Sequence, residues 1–563
     1  MAEIAAGRAD APGGEQGKEE TPLKTVVAAS SAGTAFEWYD FFVFGSLAGV
    51  ISKTFFTGLP ETAGLAAALA LFGAGFLFRP LGALVFGRIG DRAGRKGAFL
   101  MTVLLMGGAT FAIGLLPSYD QAGLVGPILL ILMRIIQGFA LGGEYGGAAI
   151  YVAEHAPAHR RGWATSWVQT SAALGLFGAL VVILVTRLVL GEFVGSEAFD
   201  AWGWRIPFLF SAGLLGVSVW MRLKLSESPA FAKLKAEGQQ SKAPFKEAFG
   251  QWGNLKLVLL ALFAIMSAQG AVWYTAFFYV QTFMERFLRV PPETITLLML
   301  SATAVSAVGY VVFGWLSDRL GRKAVMLFGM TLMLVAYFPG FHMLAQTLNP
   351  ALAEAEARTP VVVIADPAEC SLQFDPVGKA QFSSSCDIAK GVLANAGVSY
   401  RNEAGPPGQP AMVRVGMATI TTASAAGLPP DAAKAVKTRV EARIRQGLAQ
   451  AGYPAAADPA RMNLWGAFGV LLVFVVAATA LYGPMPAALV EMFPTRVRYT
   501  ALSLPYHIGT GWVGGFVPFS AFAIVTAVGD IYSGLWFPIV FTAISVVTCL
   551  FLMRETKGRS LDF

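Results

Sequence analysis

The chain has 563 residues, 55% of them hydrophobic and only 14% charged, with mean hydropathy +0.59 and a formal net charge of +7. Soluble domains carry roughly 25% charged residues, so this chain cannot coat a water-facing surface of its size, and a soluble globular protein is excluded. With four His, three Cys, no metal-ligand spacing, no P-loop and no GxGxxG, the sequence also gives no footing for an enzyme, an ATP-driven pump or a bound cofactor.

Residues 1–22 are polar, rich in Gly, Ala and Glu, and lack the apolar core of a cleavable signal peptide. They read as a disordered tail. Twelve apolar windows follow, each long enough for a ~30 Å hydrocarbon layer, at 25–51, 63–86, 97–117, 124–152, 164–190, 205–224, 256–284, 294–317, 324–346, 463–490, 500–528 and 533–553. Alternate connections hold the bases, among them Arg88, Arg92, Arg95, Lys96, Arg160, Arg161, Lys233, Lys235, Arg319, Arg322, Lys323, Arg496 and Arg498. The opposite connections hold Lys53, Arg187, Arg286 and Arg289. The positive-inside rule then puts the first set and both termini in the cytoplasm of a bacterial inner membrane. The net positive charge is a topology signal, not a nucleic-acid footprint.

A charged cassette occurs twice, as GRIGDRAGRK (Gly87–Lys96) and GWLSDRLGRK (Gly314–Lys323), each between the second and third span of a half. The expected fold class is an all-α membrane protein of twelve helices in two pseudo-symmetric bundles. These are 23–225 and 256–556, joined by a polar linker at 226–255, with a tail at 557–563. The second bundle is interrupted at 349–462, after helices 7–9 (256–348) and before helices 10–12 (463–556). In that stretch TPVVVIADP and AMVRVGMATITTAS read as strands and PPDAAKAVKTRVEARIRQGLAQAG as a helix. A small extracytoplasmic α/β insert is expected, with Cys370 and Cys386 bridged in an oxidising compartment.

Charges inside spans are expensive and mark function by default. Glu37 and Asp40 share a face of the first span and suit reversible proton binding; the alternative is a structural pair. Arg79, eight residues before Gly87, lies ~12 Å into the membrane and could clamp a carboxylate or pair with Glu37, Asp40 or Glu144. Arg134, Gln137, Leu141 and Glu144 form one stripe of the fourth span. Glu144 joins the proton-coupling set, as does His507, which titrates near neutrality when unperturbed, with a satisfied structural histidine as its alternative. Gln137, Tyr145, Arg205, Gln269, Trp273 and Tyr274 join Arg79 as substrate candidates, with headgroup anchoring as the alternative for Arg205 and packing for the aromatics. Gly142, Gly143, Gly146 and Gly147 read as helix packing.

The cassettes resemble the signature loop of the major facilitator superfamily. The stretches GTAFEWYDFFVFG, FLFRPLGALVFGRIGDRAGRK, RIIQGFALGGEYGGA, EHAPAHRRG, WGWRIPFL and RVRYTALSLPYHIGTGWVGG resemble its metabolite:H⁺ symporter family. That resemblance implies alternating-access uptake of a small metabolite, with relatives carrying α-ketoglutarate, citrate, shikimate, proline and betaine. It implies a proton-coupling role for Arg134. It implies a cytoplasmic latch at Gly87, Asp91, Arg92, Gly94, Arg95, Asp318, Arg319, Gly321 and Arg322; the helix dipole, for its part, favours Asp91 and Asp318 near the N-termini of the helices that follow them. The expected function is proton symport by a monomer, with H⁺, a metabolite and membrane lipid as its partners and a ligand or protein as a partner for the insert. A membrane sensor on the transporter fold and a proton-independent uniporter are the alternatives.

Overall fold

The computed structural model describes residues 22–56, 75, 77–195, 197–224, 227–373 and 381–561. Ten of the described helices are long and apolar enough to cross a membrane: Arg95–Leu115, Val125–His155, Ala158–Phe193, Arg205–Leu223, Trp252–Phe287, Pro292–Leu320, Arg322–Leu348, Leu464–Met492, Arg498–Val528 and Ser533–Leu552. These are the third to twelfth spans. The first is Leu23–Ser46 and the second is described over Arg79–Ala93. The expected tail at 1–22 and the opening of the window at 63–86 lie almost wholly outside the described residues.

Within the first half, the first span packs on the fifth and the third on the fourth and sixth. In the second half the ninth and eighth spans pack on the tenth, and the seventh on the eleventh and twelfth. The most extensive crossings between the halves are the second span against the eleventh and the fifth against the eighth, with the fourth also meeting the eleventh. Small residues let the backbones touch there. A Cβ on Gly87 would stand 2.8 Å from Thr500 Cα, and one on Gly314 would stand 2.5 Å from Ser166 Cβ. The fourth span is likewise drawn onto the second by Gly142, whose added Cβ would stand 2.2 Å from Arg79 O.

The seventh span is not a uniform α-helix. Its turns at Leu262–Met266, Thr275–Tyr279 and Phe283–Phe287 are π-helical, as is Ile508–Gly514 in the eleventh span. Such turns widen the helix and gather at functional sites. These two spans face each other closely, for a Cβ on Gly270 would lie 2.1 Å from Gly509 O.

The insert begins where Asn349 ends the ninth span. Its side chain accepts from Leu352 N and so caps the helix Pro350–Arg358, while its amide nitrogen donates to Leu288 O at 2.9 Å. Four strands follow, β1 (Val361–Ala365), β2 (Tyr400–Ala404), β3 (Met412–Val415) and β4 (Ala418–Thr421), in the order β2-β1-β3-β4. β1 runs parallel to β2 and antiparallel to β3, and β3 is antiparallel to β4. β1 is central and mostly buried, which is why VVVIA is apolar without alternation. The helices Ser385–Asn395 and Pro430–Gln450 pack on the sheet, and Cys370 and Cys386 are bridged.

The insert is fastened to the second half. Tyr400 N donates to Gly529 O at 2.6 Å, Tyr400 Oη to Thr526 O at 2.6 Å, and Asn402 Nδ2 to Val528 O at 2.8 Å. Those carbonyls end the eleventh span and would otherwise lack partners. Ala457 N donates to Arg289 O, just past the seventh span. One small domain thus ties down the same end of two facing helices.

Candidate substrate cleft and charged latch

A cleft lies between the halves near the middle of the bundle. Thr34 and Trp38 of the first span, Arg79 of the second, and Leu141, Glu144 and Tyr145 of the fourth form one wall; Tyr506 and His507 of the eleventh form the other. Arg79 is 4% exposed, with its guanidinium 5.0 Å from the Phe41 ring centroid. Glu144 is 2% exposed, and its Oε1 has no hydrogen-bond partner among the described residues. Tyr145 stacks on Tyr506 across the halves, centroids 3.7 Å apart, and Tyr506 Oη meets Tyr482 Oη at 3.0 Å. His507 Nε2 lies 2.8 Å from Gly142 O. A carbonyl can only accept, so Nε2 carries the proton. The cleft brings a cation, an anion and flat aromatic faces together in one low-dielectric space; at about 10 Å³ it is nearly closed in this state, and these groups could hold a small charged solute only once it widens.

Behind the cleft, the first half has a buried polar interior. Arg134 Nη1 donates to Gln137 Oε1 at 2.7 Å, and Gln137 Nε2 donates to Thr110 Oγ1 at 2.7 Å. Thr110 in turn lies beside Asp40. Arg134 also stacks over Phe44 at 4.1 Å. Glu37, one turn before Asp40, forms an ion pair of 2.7 Å with Arg222 at the end of the sixth span.

The end of the bundle that carries the cassettes is shut by a two-fold set of charges. Asp91 accepts from Tyr499 N at 3.2 Å and Thr500 N at 2.8 Å, the first turn of the eleventh span. Asp318 accepts from Gly162 N at 2.9 Å and Trp163 N at 2.8 Å, the first turn of the fifth. Each carboxylate thus closes the open N–H end of a helix in the opposite half, where the helix dipole favours it. Arg95 holds Asp91 at 2.5 Å and donates to Thr495 O; Arg322 holds Asp318 at 2.7 Å. Two further pairs cross the halves, Glu154 with Arg498 at 2.7 Å and Glu491 with Arg161 at 2.8 Å. Glu227 and Glu555 cap Arg95 N and Arg322 N, the starts of the third and ninth spans. Gly94 and Gly321 make these turns at φ of 121° and 106°, and a Cβ there would strike Glu227 and Glu555.

This architecture has relatives. The family model described as sugar (and other) transporter matches residues 25–250 and 452–562, and one described as MFS/sugar transport protein matches 147–355. The chain belongs to the major facilitator superfamily. It is 36% identical to the proline/betaine transporter of Escherichia coli (strain K12) over 334 residues, 57% of this chain and 65% of that one. The chain therefore spans slightly less than two thirds of that relative. Against the shikimate transporter of the same strain it is 36% identical over 319 residues, 55% of this chain and 70% of the relative. The solved proton:xylose symporter XylE bound to 6-bromo-6-deoxy-D-glucose superposes with a TM-score of 0.61 over 96% of this chain and 98% of that one, at 14% identity. That last likeness establishes the fold alone. The protein is a multi-pass membrane protein of that superfamily, and residues 356–451 lie outside both family matches.

Within this fold the sequence-derived residues separate. Arg79, Glu144, Tyr145 and His507 meet at the cleft. Tyr274 packs on the eleventh span at Gly514, and Trp273 donates to Tyr310 Oη at 2.9 Å. Gln269 is buried, with no partner for its Oε1 among the described residues. Gln137 is not at the cleft, because both ends of its amide are used within the first half. Arg205 is not there either: its Nη2 donates to Leu116 O at 2.8 Å, closing the C-terminal end of the third span. Asp91 and Asp318 do not serve the helices that follow them; they end their own spans and cap helices of the other half. Arg92 and Arg319 of the latch set are exposed, Arg319 lying over the Trp315 ring at 4.0 Å.

Sequence reasoning missed Arg222, Glu154, Arg161, Glu491, Arg498, Glu227 and Glu555. A signal existed for the latch members. Glu227-Ser228 and Glu555-Thr556 follow the sixth and twelfth spans in step, and Arg161 and Arg498 open the fifth and eleventh.

Proposed function

We propose that the protein is a proton-coupled symporter that takes a small zwitterionic or anionic metabolite into the cell by alternating access. The observation that carries this reading is the cleft, in which Arg79 and Glu144 stand on one half and His507 and Tyr506 on the other, with the latch closed beneath it. The charge asymmetry of the connections puts the cassettes in the cytoplasm and the insert outside. The closed latch then corresponds to a state that faces away from the cytoplasm. Arg79 suits a solute carboxylate and Glu144 with the stacked tyrosines suits an ammonium group. Relatives named for proline, betaine and shikimate fit that chemistry. Asp40 and Glu37 provide the carboxylates for the coupled proton, since a buried carboxyl without full solvation takes up and releases a proton readily.

The test is uptake by proteoliposomes of labelled proline, glycine betaine, shikimate and dicarboxylates, with and without an inward proton gradient. At least one solute should accumulate only with the gradient. Arg79→Ala should lower its uptake by roughly a hundredfold, the loss of one bidentate charge-assisted contact, at unchanged protein level. Near-normal uptake by that variant would remove Arg79 from the site, and binding without flux would favour a sensor.

A further inference from the structure

The symport reading above leaves a buried cation, Arg222, unused against the carboxylate the reading needs. Arg222 lies in the last turn of the sixth span, 2% exposed, with Nη2 2.7 Å from Glu37 Oε1. The chain makes room for it. A Cβ on Gly33, one turn before Glu37, would stand 2.7 Å from that same nitrogen. The guanidinium lies flat on the Phe99 ring at 3.7 Å, on the third span. A buried pair costs several kcal/mol of desolvation per ion, so a site shaped this closely around it calls for a use.

The direction of the first span supplies one. It runs from the cassette end inward, so Asp40 lies one turn deeper than Glu37 on the same face. Arg222 approaches from the cassette end. Behind the cleft the groups form a series toward the cassette end: Asp40, then Glu37, then Arg222. Besides Asp40 and Arg222, the titratable side chain that faces Glu37 is Tyr499 of the eleventh span, which is close to both members of the pair. Tyr499 N is one of the two amides held by Asp91, and Tyr499 Oη donates to Gly143 O. The residue beside the pair is therefore held by the latch itself.

We propose that Arg222 is a positioning residue for proton release: it keeps Glu37 as the carboxylate and so drives the coupled proton out on the cassette side when the latch opens. The proton leaves an Asp40 carboxyl oxygen, bonds a Glu37 oxygen and passes to water admitted as Tyr499 withdraws. Both groups end as carboxylates, and no electrons are transferred. Arg222 bonds neither solute nor proton.

The full chain in proteoliposomes tests this in two ways. Infrared difference spectra at neutral pH should show in Arg222→Gln a second protonated-carboxyl band, beyond that of Asp40, that is absent from wild type and from Arg222→Lys and disappears in Glu37→Gln/Arg222→Gln. An unchanged spectrum overturns the proposal. With proline, glycine betaine and shikimate as solutes, Arg222→Gln should lower gradient-driven accumulation by roughly a hundredfold, the scale of a lost proton-transfer group. Solute exchange without a gradient should fall far less, and Arg222→Lys should recover much of the accumulation. Equal loss of both activities marks a packing defect and overturns the proposal. Solute flux without proton movement in wild type is a different result, because it removes the symport reading before any variant is made.

Discussion

Asp91 shows what a single side chain does in this protein. Its two oxygens hold Tyr499 N, Thr500 N and Arg95 together inside the protein. Asp91→Asn removes the charge from bonds worth about 1.5–3 kcal/mol each, which should move the closed-to-open ratio of the cassette end by roughly ten- to a hundredfold. A cysteine placed by Ser503→Cys reads this directly, since Ser503 is 1% exposed beside Gly146 at the crossing of the fourth and eleventh spans. In a Cys549→Ser background, impermeant thiol reagents should label it faster in inside-out vesicles when Asp91 is Asn. Gly94 and Gly97 make a second comparison. A Cβ at Gly94 meets Glu227 Oε2 at 2.3 Å on a backbone of positive φ, whereas one at Gly97 meets nothing within 4 Å. Gly94→Ala should abolish uptake and lower the melting temperature, and Gly97→Ala should leave both near wild type. At this scale the sequence was half legible. Arg79, Glu144 and His507 stood out because charges within apolar runs are rare. Their partners did not: Glu154 meets Arg498 across 344 residues, and no spacing announces such a pair.

Among the elements, the insert is the one whose stability depends on a titrating group outside the spans. Glu356 accepts from Ser399 N at 2.8 Å, and burial raises its pKa above the ordinary glutamate value, partly opposed by that bond. The folded insert therefore binds the proton more tightly than the unfolded one. The contribution of Glu356 to its stability is fully present below the ordinary glutamate value and is lost as pH rises through the raised one. Glu356→Gln should flatten that dependence in thermal melts between acidic and neutral pH. Removing the bridge by Cys370→Ser with Cys386→Ser should cost the insert about 3 kcal/mol, seen as faster proteolysis within 359–458 while the spans stay intact. β1 and the β3–β4 hairpin were readable as apolar runs divided by turn signals. β2 was not, because Tyr400–Ala404 is exposed at four of its five residues and carries no alternation. Its strand state comes from β1 beside it and from the carbonyls of the eleventh span.

For the whole molecule, twelve spans and a duplicated bundle followed from hydropathy and the repeated cassette, since a bilayer enforces long apolar windows and a repeat enforces symmetry. What the repeat could not show is that each cassette serves the opposite half, so that Asp91 and Asp318 exchange helices rather than capping their neighbours. That exchange is what lets one motion release both sides of the latch together. The central claim is that opening and closing carry solute and proton as a unit. Vesicles filled with a pH-sensitive dye, containing the purified transporter and given a saturating solute at equal pH inside and out, measure this most directly. The account predicts internal acidification that begins with solute entry, scales with it and disappears in Asp40→Asn. Solute entry with a flat dye signal would contradict it.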